Sequence, residues 1–172
     1  MHDLEIVHLH NTKIPQMLDV SEVFLFYPVV RLLDLLEVRW MRILVADNQP
    51  KVRQALRVLL EHQPGLEVVG EVSDGKDLLA QVEVAYPDLV LLHWRLRGWS
   101  AVNSLSDLRE VHPDLAVIVL SGHPEVEQAA LAAGADAFVS KADPPELLLE
   151  AIARVKRAKN AAVASAATLT DE

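Results

Sequence analysis

Short apolar, β-branched runs alternate with segments of helical periodicity from Met41 onward. Such alternation is typical of βα units that build a parallel sheet. The pattern predicts strands at Arg42–Ala46, Glu67–Val72, Asp88–Leu92, Leu115–Leu120 and Ala137–Ser140. The third and fourth runs are nearly continuously apolar, as strands buried on both faces must be, so these two strands are predicted to be central.

Apolar residues at helical spacing predict a helix after each strand. The first two stripes consist of Val52, Ala55, Leu56, Leu59 and Leu60, and of Leu78, Leu79, Val82, Ala85 and Tyr86. The later stripes consist of Val102, Leu105 and Leu108, of Val126, Ala129, Ala130 and Ala133, and of Leu148, Ala151, Ile152 and Val155. Right-handed crossovers between such units favour an α/β fold, a doubly wound five-stranded parallel sheet of order 2-1-3-4-5 with helices on both faces.

Composition narrows the classes of function. An apolar content of 51% is enough for a core, whereas a net charge of −9 offers no basic surface, so this chain alone is not expected to bind nucleic acid. The absence of cysteine removes disulfide and thiolate chemistry and agrees with a cytoplasmic location. The apolar run Val23–Val30 contains Pro28 and is too short to span a membrane, and the N-terminus lacks the features of an export signal.

The chain is predicted to have three segments. Residues 1–40 match no strand–helix unit and form an N-terminal extension, either an over-extended gene start before Met41 or a partner-binding helix. Its histidines, His2, His8 and His10, have no further ligands that would indicate a metal site. Residues 41–158 form the domain, and the Ala-rich residues 159–172 are expected to be a disordered tail.

Polar residues follow four of the predicted strands. Asp47 and Asn48 come after the first strand, His93 after the third, Ser121 after the fourth and Lys141 after the fifth. In open α/β sheets, ligands and reacting groups gather at the carboxyl ends of the strands. These five residues are therefore the candidate functional site.

Five stretches resemble successive segments of the response-regulator receiver family of two-component phosphorelay signalling, in order and at the family's spacing: ILVADNQPKVRQALRVLLE, VVGEVSDG, YPDLVLLHWRLRG, VIVLSGHP and AGADAFVSKADPPELLLEAI. The resemblance implies a flavodoxin-like fold and an intracellular signalling protein that is not an enzyme. The last stretch is most similar to receivers that precede a helix-turn-helix output module. Because only a short Ala-rich segment follows it, the resemblance implies a stand-alone receiver.

In that family an acidic pair and a third-strand aspartate hold Mg²⁺, and this aspartate accepts the phosphoryl group. Mg²⁺ prefers oxygen ligands, and the transfer needs a carboxylate nucleophile with positive charge beside it. Pro50 and Pro87 set the register of the resemblance. It places Asp47 and Asn48 on the acidic pair and His93 on the acceptor. It places Ser121 on the hydroxyl, Phe138 on the aromatic switch and Lys141 on the lysine. Asp47 is then the one remaining metal-ligand carboxylate, so Mg²⁺ binding is expected to be weak or lost and the receiver to be atypical, without aspartyl phosphorylation.

Several interpretations of this edge remain open. The imidazole of His93 fills the vacated pocket and bonds to neighbours of Ser121 or Lys141, or else His93 or Ser121 is itself phosphorylated. A metal- or ligand-binding site at the His93 edge, formed with His123 and Asp47, is a further alternative. We also hypothesise that Lys141 pairs steadily with Asp47 and holds the domain in one state.

Partner contacts follow from the resemblance. It implies protein partners, a sensor kinase or another signalling protein, and a homodimer surface formed by the fourth helix, the fifth strand with Phe138 and the fifth helix. Trp94 and Trp99 bracket the loop after the third strand, where they either pack over the altered pocket or anchor a partner. Packing is the favoured role.

Overall fold

The computed structural model describes residues 40–99 and 101–168, the side chains of 101–104 and 163–168 aside. Its strands are β1 (Met41–Ala46), β2 (Leu66–Val72), β3 (Leu89–His93), β4 (Ala116–Ser121) and β5 (Ala137–Ser140). They form one parallel sheet of order β2-β1-β3-β4-β5. The predicted topology is confirmed.

Helices follow the strands as predicted. They are α1 (Pro50–Glu61), α2 (Gly75–Ala85), α3 (Ala101–Val111), α4 (Glu127–Ala132, preceded by a 3₁₀ turn at Pro124–Val126) and α5 (Pro145–Thr168). Pro50 begins α1, where a missing N–H costs nothing, and the Asp74 carboxylate caps α2 by accepting the Lys76 N–H at 2.9 Å. Within the described residues, no helix has the length and apolar content needed to cross a membrane.

The sheet separates two apolar cores. Ile43 of β1 contributes to the core on one face, with Leu60 of α1 and Ile152 of α5, and Leu44 to the core on the other face, with Leu78 of α2. All residues of β3 and β4 are buried. The prediction that these two strands are central is therefore confirmed, and the layers on both faces keep the strand ends in fixed positions.

Some expectations about the helices were wrong. Tyr86 ends α2 in the left-handed conformation (φ 43°) and is 60% exposed, because the following Pro87 disfavours a helical residue before it. Ala55 and Ala129 are also exposed. The tail expected to be disordered is helical to Thr168, since alanine is the strongest helix former. Residues 1–39, with their histidines, and 169–172 lie outside the described residues.

Candidate functional site

Four strands bring the predicted site residues to one edge of the sheet. Ala46 is the register partner of Leu92, so Asp47 and His93 follow at the junction of β1 and β3, where the strand order reverses. Ser121 ends β4 beside Ser140, the residue before Lys141. The carboxyl ends of β1, β3, β4 and β5 thus form the candidate site that the sequence predicts.

Asp47 is fully engaged by its neighbours. Its side chain is 1% exposed, and its Oδ2 accepts a hydrogen bond from the ammonium of Lys141, whose side chain is 18% exposed. The other carboxylate oxygen accepts the Gln49 N–H at 2.9 Å, and the Asp47 carbonyl accepts the Arg53 guanidinium at 2.6 Å. The hypothesised ion pair of Lys141 with Asp47 is therefore present in the structure.

Arg53 is a residue that the sequence reasoning missed. Its Nη1 holds the Asp47 carbonyl, while its Nε donates to a Glu71 carboxylate oxygen at 3.2 Å. Arg57 donates to the other Glu71 oxygen at 2.6 Å. Opposite charges on the adjacent elements α1 and β2 were the available signal. This cluster fixes the backbone of the loop that carries Asp47.

His93 fills the position at the end of β3 and is 9% exposed. Its Nδ1 lies 3.2 Å from the carbonyl oxygen of Leu120, the residue before Ser121. A carbonyl only accepts, so Nδ1 carries the proton and Nε2 keeps a lone pair. Burial and then the positive charge of Lys141 lower the pKa of His93, and Asp47 opposes this shift. The ring is therefore neutral at pH 7.

Ser121 and His123 belong to the β4–α4 connection. The buried Ser121 hydroxyl accepts the His123 N–H at 3.0 Å, and the Ser121 carbonyl accepts the Lys141 N–H at 2.7 Å. The His123 ring instead pairs with Glu125 at 3.1 Å, and its side chain is 51% exposed. Across residues 40–99 and 101–168, no three His, Cys, Asp or Glu side chains gather as a metal site, so the structure does not bring His93, His123 and Asp47 together as metal ligands.

The residues in the family's metal positions do not fit Mg²⁺. Asp47 is one carboxylate with both oxygens engaged, and His93 offers a nitrogen where the hard ion prefers oxygen. Asn48 offers a buried, uncharged Oδ1 that has no hydrogen-bond partner among the described residues. A single paired carboxylate supplies too little negative charge for a dication.

The aromatic residues around the site pack onto the domain. Trp94 and Trp99 are half-buried against the core on the α2 face, which confirms the favoured role of packing. The Gly75 N–H donates to the Arg97 carbonyl at 2.7 Å, so the loop after β3 is attached to the start of α2. Phe138 is half-buried on β5 and packs against the same core.

Comparisons with known proteins agree with this geometry. The family model of the response regulator receiver domain matches residues 43–153. The chain is 34% identical over 113 residues to the nitrate/nitrite response regulator protein NarP of Escherichia coli, covering 64% of this chain and 53% of that protein. It is 39% identical over 118 residues to the transcriptional activator protein ExaE of Pseudomonas putida, covering 67% of this chain and 55% of that protein.

Solved structures show the same fold. A two-component response regulator of the LuxR family from Aurantimonas sp. SI85-9A1 superposes with a TM-score of 0.63 at 27% identity, covering 67% of this chain and 84% of that chain. The signal receiver domain of the putative response regulator NarL from Mycobacterium tuberculosis superposes with a TM-score of 0.62 at 26% identity, covering 69% of this chain and 98% of that chain. The chain spans about half the length of the curated relatives that it matches.

Proposed function

Because the chain belongs to the response regulator receiver family, we propose that it is an atypical receiver that signals through protein contacts without aspartyl phosphorylation and without enzymatic chemistry of its own. The observation that carries the proposal is His93 at the end of β3, where an acyl phosphate would need a carboxylate. The neutral imidazole, bonded to the Leu120 carbonyl, cannot form an acyl phosphate.

The ion pair beside His93 supports the same proposal. In a receiver that works by phosphorylation, the lysine is available to bind the phosphoryl oxygens. Here the Lys141 ammonium is held by Asp47, and Asp47 is held in turn by the Gln49 N–H and, through its carbonyl, by Arg53. We propose that this pairing keeps the domain in one conformational state.

The proposed output is binding to other signalling proteins. NarP is a response regulator and ExaE is a transcriptional activator. For this chain we propose a role in signalling and not their specific targets. Candidate partners are a sensor kinase or a second copy of this chain. The proposed contact surface is formed by α4, β5 and α5, where Leu131 is 44% exposed beside the half-buried Phe138.

The test is phosphorylation from a small acyl phosphate. Wild type, the double variant His93→Asp/Asn48→Asp and the matched control His93→Asn/Asn48→Asp are incubated with Mg²⁺ and acetyl phosphate, and the intact masses are measured. We expect a phosphoryl mass shift in the double variant alone, because the control restores the acidic pair without a nucleophile at the acceptor position.

Other outcomes contradict the proposal in different ways. A mass shift in wild type would mean that the receiver is phosphorylated after all, at His93 or Ser121, and peptide mapping would distinguish them. A double variant that binds Mg²⁺ yet stays unlabelled would show that the site has lost more than its carboxylates. Metal retained by wild type through dialysis would favour a metal-binding function.

A further inference from the structure

His112 lies at the edge of the sheet opposite to the candidate site. It follows α3 directly, is 5% exposed, and its backbone N–H donates to the Leu108 carbonyl at 2.9 Å. Its ring stacks on the ring of Tyr86, with centroids 4.0 Å apart and planes at 18°. Tyr86 belongs to the short connection from α2 to β3, so one buried imidazole contacts a second part of the chain.

The Tyr86 backbone is strained. Its φ of 43° is a left-handed conformation that residues other than Gly, Asn and Asp rarely adopt. The Tyr86 N–H donates to the Val82 carbonyl at 2.9 Å, and the buried ring of His112 stacks on the exposed Tyr86 ring from the protein side. If His112 were to leave, the connection would lose the stacking contact that helps to offset this strain.

The surroundings of His112 favour the neutral ring. Its Nδ1 is buried with no hydrogen-bond partner in the part of the chain that the structure describes. The charged ring must carry a proton on Nδ1, where there is no acceptor for it. The Pro87 backbone favours the charged form, but burial outweighs this effect.

Charged groups from three elements face the ring. Lys159 of α5 opposes a positive charge on His112, whereas Asp114 after α3 and Asp88 before β3 favour it. The Lys159 ammonium donates to the backbone carbonyl oxygens of Asp114 and of Asp88, the latter at 3.2 Å. These two bonds fix the position of the ammonium. Burial and then Lys159 lower the pKa of His112, with the aspartates opposing.

We propose that His112 is an acid-sensitive latch, whose protonation expels the ring from its pocket and releases Tyr86 and Pro87, the connection that leads into β3. Control of the domain by protonation of His112 goes beyond the proposed function, because it needs neither a phosphoacceptor nor a metal. β3 is a five-residue buried strand that begins at this connection and ends at His93, so it links the latch to the candidate site.

The test is amide hydrogen exchange of the Tyr86 and Asp88 N–H groups, both of which are hydrogen-bonded, at pH 7.5 and below. Histidine NMR titration on the same samples follows the protonation of His112. We expect His112 to titrate below 6.5. Between 6.5 and the pH at which folded His112 titrates, the equilibrium constant for opening, corrected for intrinsic exchange rates, should rise about tenfold for each unit by which the pH falls. The reason is that opening takes up one proton.

Two variants separate the latch from general acid weakening. His112→Phe keeps a stacking ring that cannot be protonated, so its Tyr86 and Asp88 amides should lose the pH dependence. His112→Gln removes the ring and should exchange fast already at pH 7.5. The proposal is overturned if His112 titrates at 6.5 or above, if wild-type protection is unchanged while His112 is protonated, or if His112→Phe keeps the wild-type pH dependence.

Discussion

The ion pair of Lys141 with Asp47 predicts an asymmetry between its two partners. Lys141→Met would leave the Asp47 carboxylate, 1% exposed, with the backbone N–H of Gln49 as the one remaining hydrogen-bond donor to it within the described residues. Removing one partner of a buried pair costs about 3–5 kcal/mol. Because Lys141 is 18% exposed, the pair is partly solvated, and we expect the lower end, about 3 kcal/mol of unfolding free energy.

The opposite substitution should cost less. Asp47→Asn keeps an oxygen that can accept the Gln49 N–H, and the freed Lys141 ammonium can turn towards solvent, since its stem is already partly exposed. The loss is then about 1 kcal/mol, the net value of one hydrogen bond. The double variant Asp47→Asn/Lys141→Met should be more stable than Lys141→Met alone, since it leaves no unpaired charge.

Urea unfolding of the three variants, followed by circular dichroism and tryptophan fluorescence, measures this asymmetry. With a slope of about 2 kcal/mol per molar, Lys141→Met should lower the midpoint by about 1.5 M. Asp47→Asn should lower it by about 0.5 M at the same slope. The reasoning is refuted if Asp47→Asn is the more damaging of the two, or if the double variant is as unstable as the sum of the singles.

Two further predictions concern packing and pH. Gly75→Ala should destabilise the domain by about 1–3 kcal/mol, because the new Cβ would lie 2.6 Å from the Trp99 Cβ. The control Gly122→Ala, whose new Cβ would have no atom within 4 Å, should be near neutral in the same urea assay. Equal effects of the two substitutions would contradict the clash. Because burial and Lys141 lower the pKa of His93 in the folded state, its contribution to stability is complete above the unfolded value of 6.5 and is lost as pH falls towards the folded pKa, at up to about 1.4 kcal/mol per pH unit. Thermal melts between pH 7.5 and 5 should show a shallower decline for His93→Asn than for wild type, and an unchanged slope would rule this out.

The fold was predictable because each level of the sequence points the same way. The apolar run Leu89–Leu92 is too continuous for a half-exposed strand, and the predicted strand Asp88–Leu92 differs from the observed Leu89–His93 by one residue at each end. Tyr86 was mispredicted because it continues the α2 periodicity, while Pro87 imposes a local backbone restriction that periodicity does not contain. The low complexity of the Ala-rich segment predicts disorder, whereas the high helix propensity of alanine extends α5 to Thr168.

The site was predictable in position and only partly in its contacts. Strand ends locate Asp47, His93, Ser121 and Lys141, since the sheet topology alone brings them to one edge. The partner of His93 was not predictable, because the Leu120 carbonyl is a backbone group whose availability depends on how β4 ends. Sequence identifies side chains well and free backbone acceptors poorly.

Charge explains why the substitutions at this edge belong together. A site with three carboxylates and one lysine carries an excess of negative charge, which a dication offsets. With Asn48 and His93 in two of those positions, the one carboxylate, Asp47, is balanced by Lys141, and the neutral imidazole adds no charge. Restoring His93→Asp alone would therefore leave two carboxylates competing for one lysine with an amide in the metal shell. Only the double variant with Asn48→Asp recreates the charge that makes a dication favourable, so phosphorylation should return with both changes and not with either alone.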